Sequence, residues 1–488
     1  MARTGTHIIG FVTSCLITML SISVCAQSIE EDEIVKYASH SDSLARIVVI
    51  DNIVITGNKK TKDNIILREL DVTPGEKYAY GELKKLLNQD RNKIYNTSLF
   101  NVVEIQTYDL SVDRVVIQVN VKERWYLYPI PKIDFVDRNF NDWVQNHGAD
   151  WSRVNWGIKF TQYNFRGRNE RLALLLQGGY TKQAGLQYAI PYIDRNQRTG
   201  IAFRMDYSEN TNTAFNTIDH DRKFVDSNEI IRRQTNAGVS ITRRHSFYNS
   251  HHFGLDYSNT WVGDTVLTLN PNYFRDGVNQ QRFFVLGYSF ISDHRDIIAY
   301  PLSGYRFKIS AFKKGLGIFD DMNMFQISSS YSKYWELDKR YFISNYISAY
   351  ASFPENQDYA NATGLGYGNE IIRGYELWVI EGRNYFLNKT TFKKELLAIQ
   401  KNISAMPIEQ FQTFPLAIYL KTFFDFGYVT NLVGRDQNER LTNKWIWGSG
   451  IGLDFFTVYD LVVRTEYSFY SDGSDFQDGF FVHFKKEF

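Results

Sequence analysis

Only two cysteines occur in 488 residues, Cys15 and Cys25, both near the start of the chain. The rest of the chain has no thiol for a disulfide, a redox couple or a thiolate metal site. Long apolar runs are missing too. After Val24 none approaches the roughly 20 residues that a membrane-crossing helix needs, which excludes a helical membrane protein. Charge is balanced, with a formal net charge of +1, so there is no electrostatic case for nucleic acid. Proline is scarce, with 9 in all, whereas aromatic residues make up 16% of the chain. The aromatics alternate with polar residues through the second part, a pattern suited to strands with aromatic girdles.

The one long apolar stretch, Ile8 to Val24, is interrupted by Thr13, Ser14, Thr18, Ser21 and Ser23. Val24-Cys25-Ala26 then sets small residues before Gln27, so residues 1–26 read as a cleaved signal peptide rather than an anchor helix. A lipid anchor on Cys25 is disfavoured by Val24 in front of it. Residues 27–46 are acidic and polar, without periodicity, and read as a tether.

Residues 47–125 follow a strand-helix-helix-strand-strand order. Ile50, Ile53, Val54 and Ile55 form a β-branched run ended by Gly57-Asn58. Thr61 is expected to cap a helix that buries Ile65, Ile66 and Leu70 and stops at Pro74-Gly75. Leu83, Leu86, Leu87 and Ile94 recur at helical spacing. The strands Val102 to Tyr108 and Val115 to Val121 follow. Such a unit buries one helical layer on one small sheet.

Beyond Pro129-Ile130-Pro131 the pattern becomes β alternation. Ile201, Phe203, Met205 and Tyr207 alternate with Ala202, Arg204 and Asp206; Leu461, Val463, Tyr467 and Phe469 face away from Arg464, Glu466 and Ser468. Strands of about ten residues, about sixteen in number and two-sided, need an apolar solvent outside and a wet or small-residue interior. A soluble β-sandwich or lipocalin-like barrel also alternates, but its charged face would point outward. The expected fold is mostly β, with a transmembrane antiparallel barrel over 132–488 after one small α/β domain. The last strand puts Phe480, Val482, Phe484 and Phe488 on one face and His483, Lys485 and Glu487 on the other.

These residues resemble the BamA/TamA superfamily of outer-membrane assembly proteins, which join periplasmic POTRA domains to a sixteen-stranded bacterial surface antigen barrel. The resemblance covers nearly all of the chain after the leader. The small domain is similar to one POTRA repeat, through Val54-Ile-Thr-Gly-Asn58, Ile66-Leu-Arg-Glu-Leu70, Pro74-Gly75, Thr97-Ser-Leu-Phe100 and Val119-Asn-Val-Lys-Glu-Arg124. One copy is found. Asn164-Phe-Arg-Gly167 resembles the first barrel hairpin, Pro191-Tyr192 the end of the third strand, and Asp293-His-Arg-Asp296 with Pro301 and Gly304 the hairpin before the eighth.

The most specific match is Ile372-Arg373-Gly374-Tyr375, similar to the family's loop motif of an aliphatic residue, Arg, Gly and an aromatic. The resemblance implies a loop folded into the barrel, with Arg373 meeting Glu395 and Asp425 on the two following strands. Parity agrees: Asp425 shares a face with Tyr419 and Lys421, Glu395 with Lys389, Thr391 and Lys393. An arginine in a narrow, partly dry lumen needs such a carboxylate. The resemblance also implies a weak seam between first and last strands, near Trp156 to Phe165 and Phe480 to Phe488.

Other signals carry little. Gly364-Leu-Gly-Tyr-Gly368 has no following helix to bind phosphate. His251 and His252 point to opposite faces of a strand and form no metal pair. No nucleophile elbow or other catalytic frame occurs, so neither an enzyme nor a cofactor is expected. The function implied is assembly or translocation. The POTRA domain would capture unfolded client proteins by strand addition, and the barrel would assist their insertion, with outer-membrane lipids, periplasmic chaperones or lipoproteins as further partners. The alternatives are a dedicated secretion pore of the two-partner type and a passive porin or surface receptor.

Overall fold

The computed structural model describes residues 46–135, 140–145, 148–194, 196–319, 321–402, 413–457, 461–471 and 475–486. The expected signal peptide, all but the last residue of the tether, and Phe488 lie outside this set, as does the side chain of Phe484.

The small domain builds from β1 (Ile47–Thr56), a helix (Asp63–Leu67), β2 (Lys77–Ala79), a second helix (Tyr80–Asn96), β3 (Phe100–Asp109) and β4 (Arg114–Glu123). Its sheet has the order β2-β1-β4-β3, with β1 parallel to β4. Alternation along β4 sends Val115, Ile117, Val119 and Val121 into a core shared with Ile65, Ile66, Leu83, Leu87 and Ile94. Each such aliphatic side chain contributes about 1.5–3 kcal/mol on burial. The short strand β2 was not visible in the sequence. Thr61 does not cap the first helix: Lys62 holds the N-cap position without a side-chain bond. The Thr61 hydroxyl donates to Glu123 Oε1 at 2.6 Å and accepts from Asn164 Nδ2 at 2.8 Å.

Sixteen antiparallel strands form the barrel sheet. In chain order they are β5 (Leu127–Phe135), β6 (Val154–Phe165), β7 (Glu170–Gly179), β8 (Thr181–Ile190), β9 (Thr199–Asn210), β12 (Arg232–Arg244), β13 (Asn249–Val262) and β14 (Gln280–Asp293). Then follow β15 (Gly304–Lys314), β16 (Met324–Asp338), β17 (Tyr341–Phe353), β20 (Asn384–Asn402), β21 (Thr413–Thr430), β22 (Trp445–Phe456), β23 (Leu461–Ser471) and β24 (Phe476–Lys486). Two short pairs lie outside that sheet: β10 (Asn212–Ile218) with β11 (Asp221–Asp226), and β18 (Gly364–Leu365) with β19 (Ile380–Glu381). The side-chain alternation holds. Met205, Leu286 and Phe480 are exposed on the outer surface, whereas Glu466 and Ser468 are buried inside.

The barrel starts earlier than residue 132. β5 runs through Pro129 and Pro131 and pairs with β6, so Trp156 to Phe165 lies on the second strand, not the first. Every strand count after it shifts by one: Pro191 follows the fourth strand, and the turn 294–303 follows the eighth. The prolines fit because β5 is an edge. Tyr163 N–H donates to Tyr126 O at 2.7 Å, so alternate residues 128 and 130 point their backbone groups at β6, and 129 and 131 point away from it. The two nitrogens that cannot donate therefore face the open side of the sheet, where proline is tolerated. Among the described residues β5 and β24 are the two ends of the sheet order, with no pairing between them.

Three turns at one end of the barrel hold the small domain. Gly167 O accepts from Lys62 N–H at 3.0 Å, Arg244 forks onto Glu69 at 3.0 and 3.1 Å, and Asn96 donates to Asp296 O at 3.0 Å. At the opposite end, the β10–β11 hairpin, a short helix (Asp264–Leu269) and the β17–β20 loop pack around Ile231, Val262, Val266 and Tyr359.

Candidate functional site

Residues 354–383 join β17 to β20 as one long connection that turns into the lumen. Arg373 on this connection is 8% exposed, and Asp425 on β21 is 0% exposed. Arg373 Nε donates to Asp425 Oδ2 at 2.7 Å and Nη2 to Oδ1 at 2.5 Å, a bidentate fork, while the Arg373 backbone N–H adds a bond of 3.1 Å. Nη2 also donates to Thr391 Oγ1 at 3.0 Å, and the guanidinium lies 3.9 Å over the Phe423 ring. A charge so desolvated persists only with this degree of pairing.

The neighbouring motif residues fasten the loop. Ile372 packs with Leu365, Leu387, Val429 and Ile446. Tyr375 is buried against Tyr470 and donates to Ser471 O at 2.5 Å. Gly374 has φ +103°, and a Cβ there would lie 2.8 Å from Tyr470 Cβ. The strands make room with their own glycines. A Cβ on Gly448 would fall 1.9 Å from Arg373 O, and one on Gly427 2.9 Å from Ile372 Cδ1. Glycine within a strand marks such close approach of a second backbone.

Glu395 is not brought to Arg373. It faces Tyr419, whose hydroxyl donates to it at 3.5 Å, and its N–H donates to Arg340 O in the turn after β16. Asp425 stands opposite Lys389, and Glu395 opposite Tyr419, some six residues of strand away, about 20 Å at 3.3 Å per residue. The second carboxylate near Arg373 is Glu466 on β23, with Oε1 3.7 Å from Nη1. Glu466 also takes Lys421 Nζ at 2.6 Å, and Lys421 reaches Asp454 at 2.5 Å. Tyr300 donates to Asp454 at 2.8 Å. Glu466, Lys421 and Asp454 were not foreseen as members of the site. Their inward parity was readable; their level along the barrel axis was not.

On the last strand, Phe480 is outward and Phe481 is packed under Tyr470. Val482 is half-buried, and His483 turns to the lumen, where its Nε2 is 3.2 Å from Glu466 Oε2 and 3.3 Å from Glu376 Oε1. These groups line a lumenal cavity of about 750 Å³.

A second polar node sits at the end of the barrel away from the small domain. His220, in the β10–β11 turn, is 0% exposed. Its Nε2 accepts from Leu441 N–H at 2.9 Å, its Nδ1 is 3.3 Å from Val379 O, and its own carbonyl accepts from Val379 N–H at 2.9 Å. Burial, helped by Arg440, pushes its pKa down to about 4.

Two family models match. The Omp85 superfamily domain takes in residues 164–457, and the POTRA model, described as a surface antigen variable number repeat, takes in 48–124. No curated protein matches the chain. Among solved structures, CdiB from Escherichia coli is 12% identical with a TM-score of 0.53, the alignment covering 90% of this chain and 75% of that one. BamA from Haemophilus ducreyi lacking POTRA domains 1–3 is 15% identical with a TM-score of 0.48, covering 90% and 84%. With one family model spanning more than half of its residues, the chain belongs to the Omp85 superfamily and carries one POTRA domain in front of the barrel.

Proposed function

We propose that this protein resides in a bacterial outer membrane, with the POTRA domain in the periplasm, and assists unfolded client proteins into or across that membrane. The observation that carries this reading is the open edge of the barrel. β5 offers two prolines where a closed sheet needs donors, and β24 lies at the other end of the sheet order without pairing to it among the described residues. A client strand can pair with β24, which contains no proline, at little cost in broken hydrogen bonds. The POTRA sheet supplies a second edge, the ten-residue β3, which is exposed along one side and suited to strand addition. β5, at nine residues the shortest strand of the barrel sheet among the described residues, also leaves the adjacent bilayer poorly matched, which lowers the cost of insertion. Outer-membrane lipids are partners in this reading, as are any periplasmic chaperones or lipoproteins that deliver the client.

A passive porin fits less well, because the Arg373 loop occupies the lumen and is fixed there by a buried ion pair. The test is depletion in the native host followed by quantification of the outer-membrane proteome against total protein. Broad loss of other barrels is the result expected of a general insertase. Loss of one or a few surface proteins assigns a dedicated exporter, and an unchanged proteome refutes the proposal.

A further inference from the structure

We propose that Glu376, Glu466 and His483 form a binding site for one divalent transition metal of the zinc class, which joins the folded-in loop to the last strand of the barrel. The three come from separate elements: the loop, β23 and β24. Their ligand atoms, Glu376 Oε1, Glu466 Oε2 and His483 Nε2, all lie within 4.8 Å of one another.

The spacing is compatible with a metal ion between the three groups. Nε2 is 3.3 Å from Glu376 Oε1 and 3.2 Å from Glu466 Oε2. A charge-assisted N–H···O bond would close to about 2.7–2.9 Å, and one Nε2–H can be aimed well at only one acceptor. Nitrogen and oxygen ligands about 2.0–2.1 Å from a tetrahedral zinc stand about 3.3 Å apart, close to the two nitrogen–oxygen distances found.

The surroundings orient the same atoms. Glu376 Oε2 accepts from Gly374 N–H at 2.8 Å, which turns Oε1 to the imidazole. Glu466 Oε1 is held by Lys421 at 2.6 Å, with Arg373 Nη1 behind at 3.7 Å, which turns Oε2 the same way. Such outer contacts fix a ligating carboxylate and tune its metal. Both carboxylate side chains are buried, at 0% and 3% exposure, and the imidazole, at 25%, borders the lumenal cavity. An ion therefore has an entry path and keeps one position open to the lumen. A donor set of one nitrogen and two oxygens favours zinc and its neighbours over calcium or magnesium, which take oxygen ligands. Bound there, the ion makes the loop and the seam strand one mechanical unit.

The experiment uses the full chain in detergent, without a polyhistidine tag, stripped with EDTA and desalted. Zinc titrated calorimetrically should bind with a stoichiometry of one. Glu376→Gln and His483→Gln should each weaken binding by about tenfold or more, and His251→Gln should not. Cobalt in the wild-type protein should give the intense visible bands of a four-coordinate ion, a reading that needs no variant. Heat-modifiable migration verifies that each variant has folded. The inference is overturned if the wild type holds no more zinc than His483→Gln, or if cobalt shows only the pale spectrum of an octahedral ion. It is overturned equally if a cysteine cross-link between loop and β24 forms as readily with EDTA as with zinc, because a protonated imidazole would then suffice.

Discussion

Arg373 and Asp425 meet as a bidentate pair at 2.7 and 2.5 Å in the interior of the barrel, and the aspartate is wholly buried. Removing one partner leaves the other as an uncompensated charge, which costs roughly 3–5 kcal/mol. Arg373→Ala should therefore release the loop, seen as protease cleavage within 354–383 of a folded barrel. Arg373→Lys should fail to restore protection, since a point charge cannot make the fork. The double variant Arg373→Ala with Asp425→Asn should be less disturbed than Arg373→Ala alone; greater disturbance would refute the buried pairing.

Gly448 tests the same loop from the strand side. A methyl group there would sit 1.9 Å from Arg373 O and meet backbone rather than a mobile side-chain tip. Gly448→Ala should displace the loop while leaving the barrel strands folded. Gly374→Ala adds backbone strain at φ +103°, about 1–3 kcal/mol. Cysteine cross-linking of loop to β22 is the measurement, and undiminished cross-linking in Gly448→Ala would contradict the close approach.

How much of this was legible follows from what alternation encodes. Period-two patterning reports which face a residue occupies, so the inward placement of Asp425, Lys421 and Glu466 could be read from sequence. It says nothing of height along the axis, which depends on register across several strands. For that reason Glu395, expected at Arg373, stands far down β20, six residues beyond Lys389 and its partner Asp425, and Glu466 takes its place. The missed first strand has another cause. Pro129 and Pro131 argue against a central strand, and the fact that made them tolerable, an open edge, is a property of the whole sheet. The strand glycines Gly427 and Gly448 were the available and unused sign of a second backbone nearby.

His220 predicts a pH dependence for the end of the barrel distant from the POTRA domain. Its pKa is lowered by burial to about 4, from about 6.5 in the unfolded chain. Below 6.5 the unfolded segment binds the proton more readily, so the contribution to stability is complete above that pH and is lost as pH falls toward 4. Protonation would also set an N–H against the Leu441 N–H that Nε2 now accepts from. Hydrogen exchange in 212–226 and around Val379 should accelerate over that window. His220→Gln should flatten the dependence, and an unchanged acid transition in that variant would assign it to other groups.

The prolines of β5 give the most direct test of the open edge. Pro129→Val and Pro131→Val each return a backbone N–H on the side facing away from β6, and each new hydrogen bond to β24 is worth about 0.5–1.5 kcal/mol. The outward-facing valines also suit a strand better than proline does. The double variant should therefore raise the temperature of heat-modified migration and form a cysteine cross-link between β5 and β24 in higher yield. If client strands enter at this edge, the stiffened barrel should complement depletion less well than the wild type, and less well still when the cross-link is made. Higher thermal stability with full complementation would separate seam strength from function and place client entry elsewhere on the barrel.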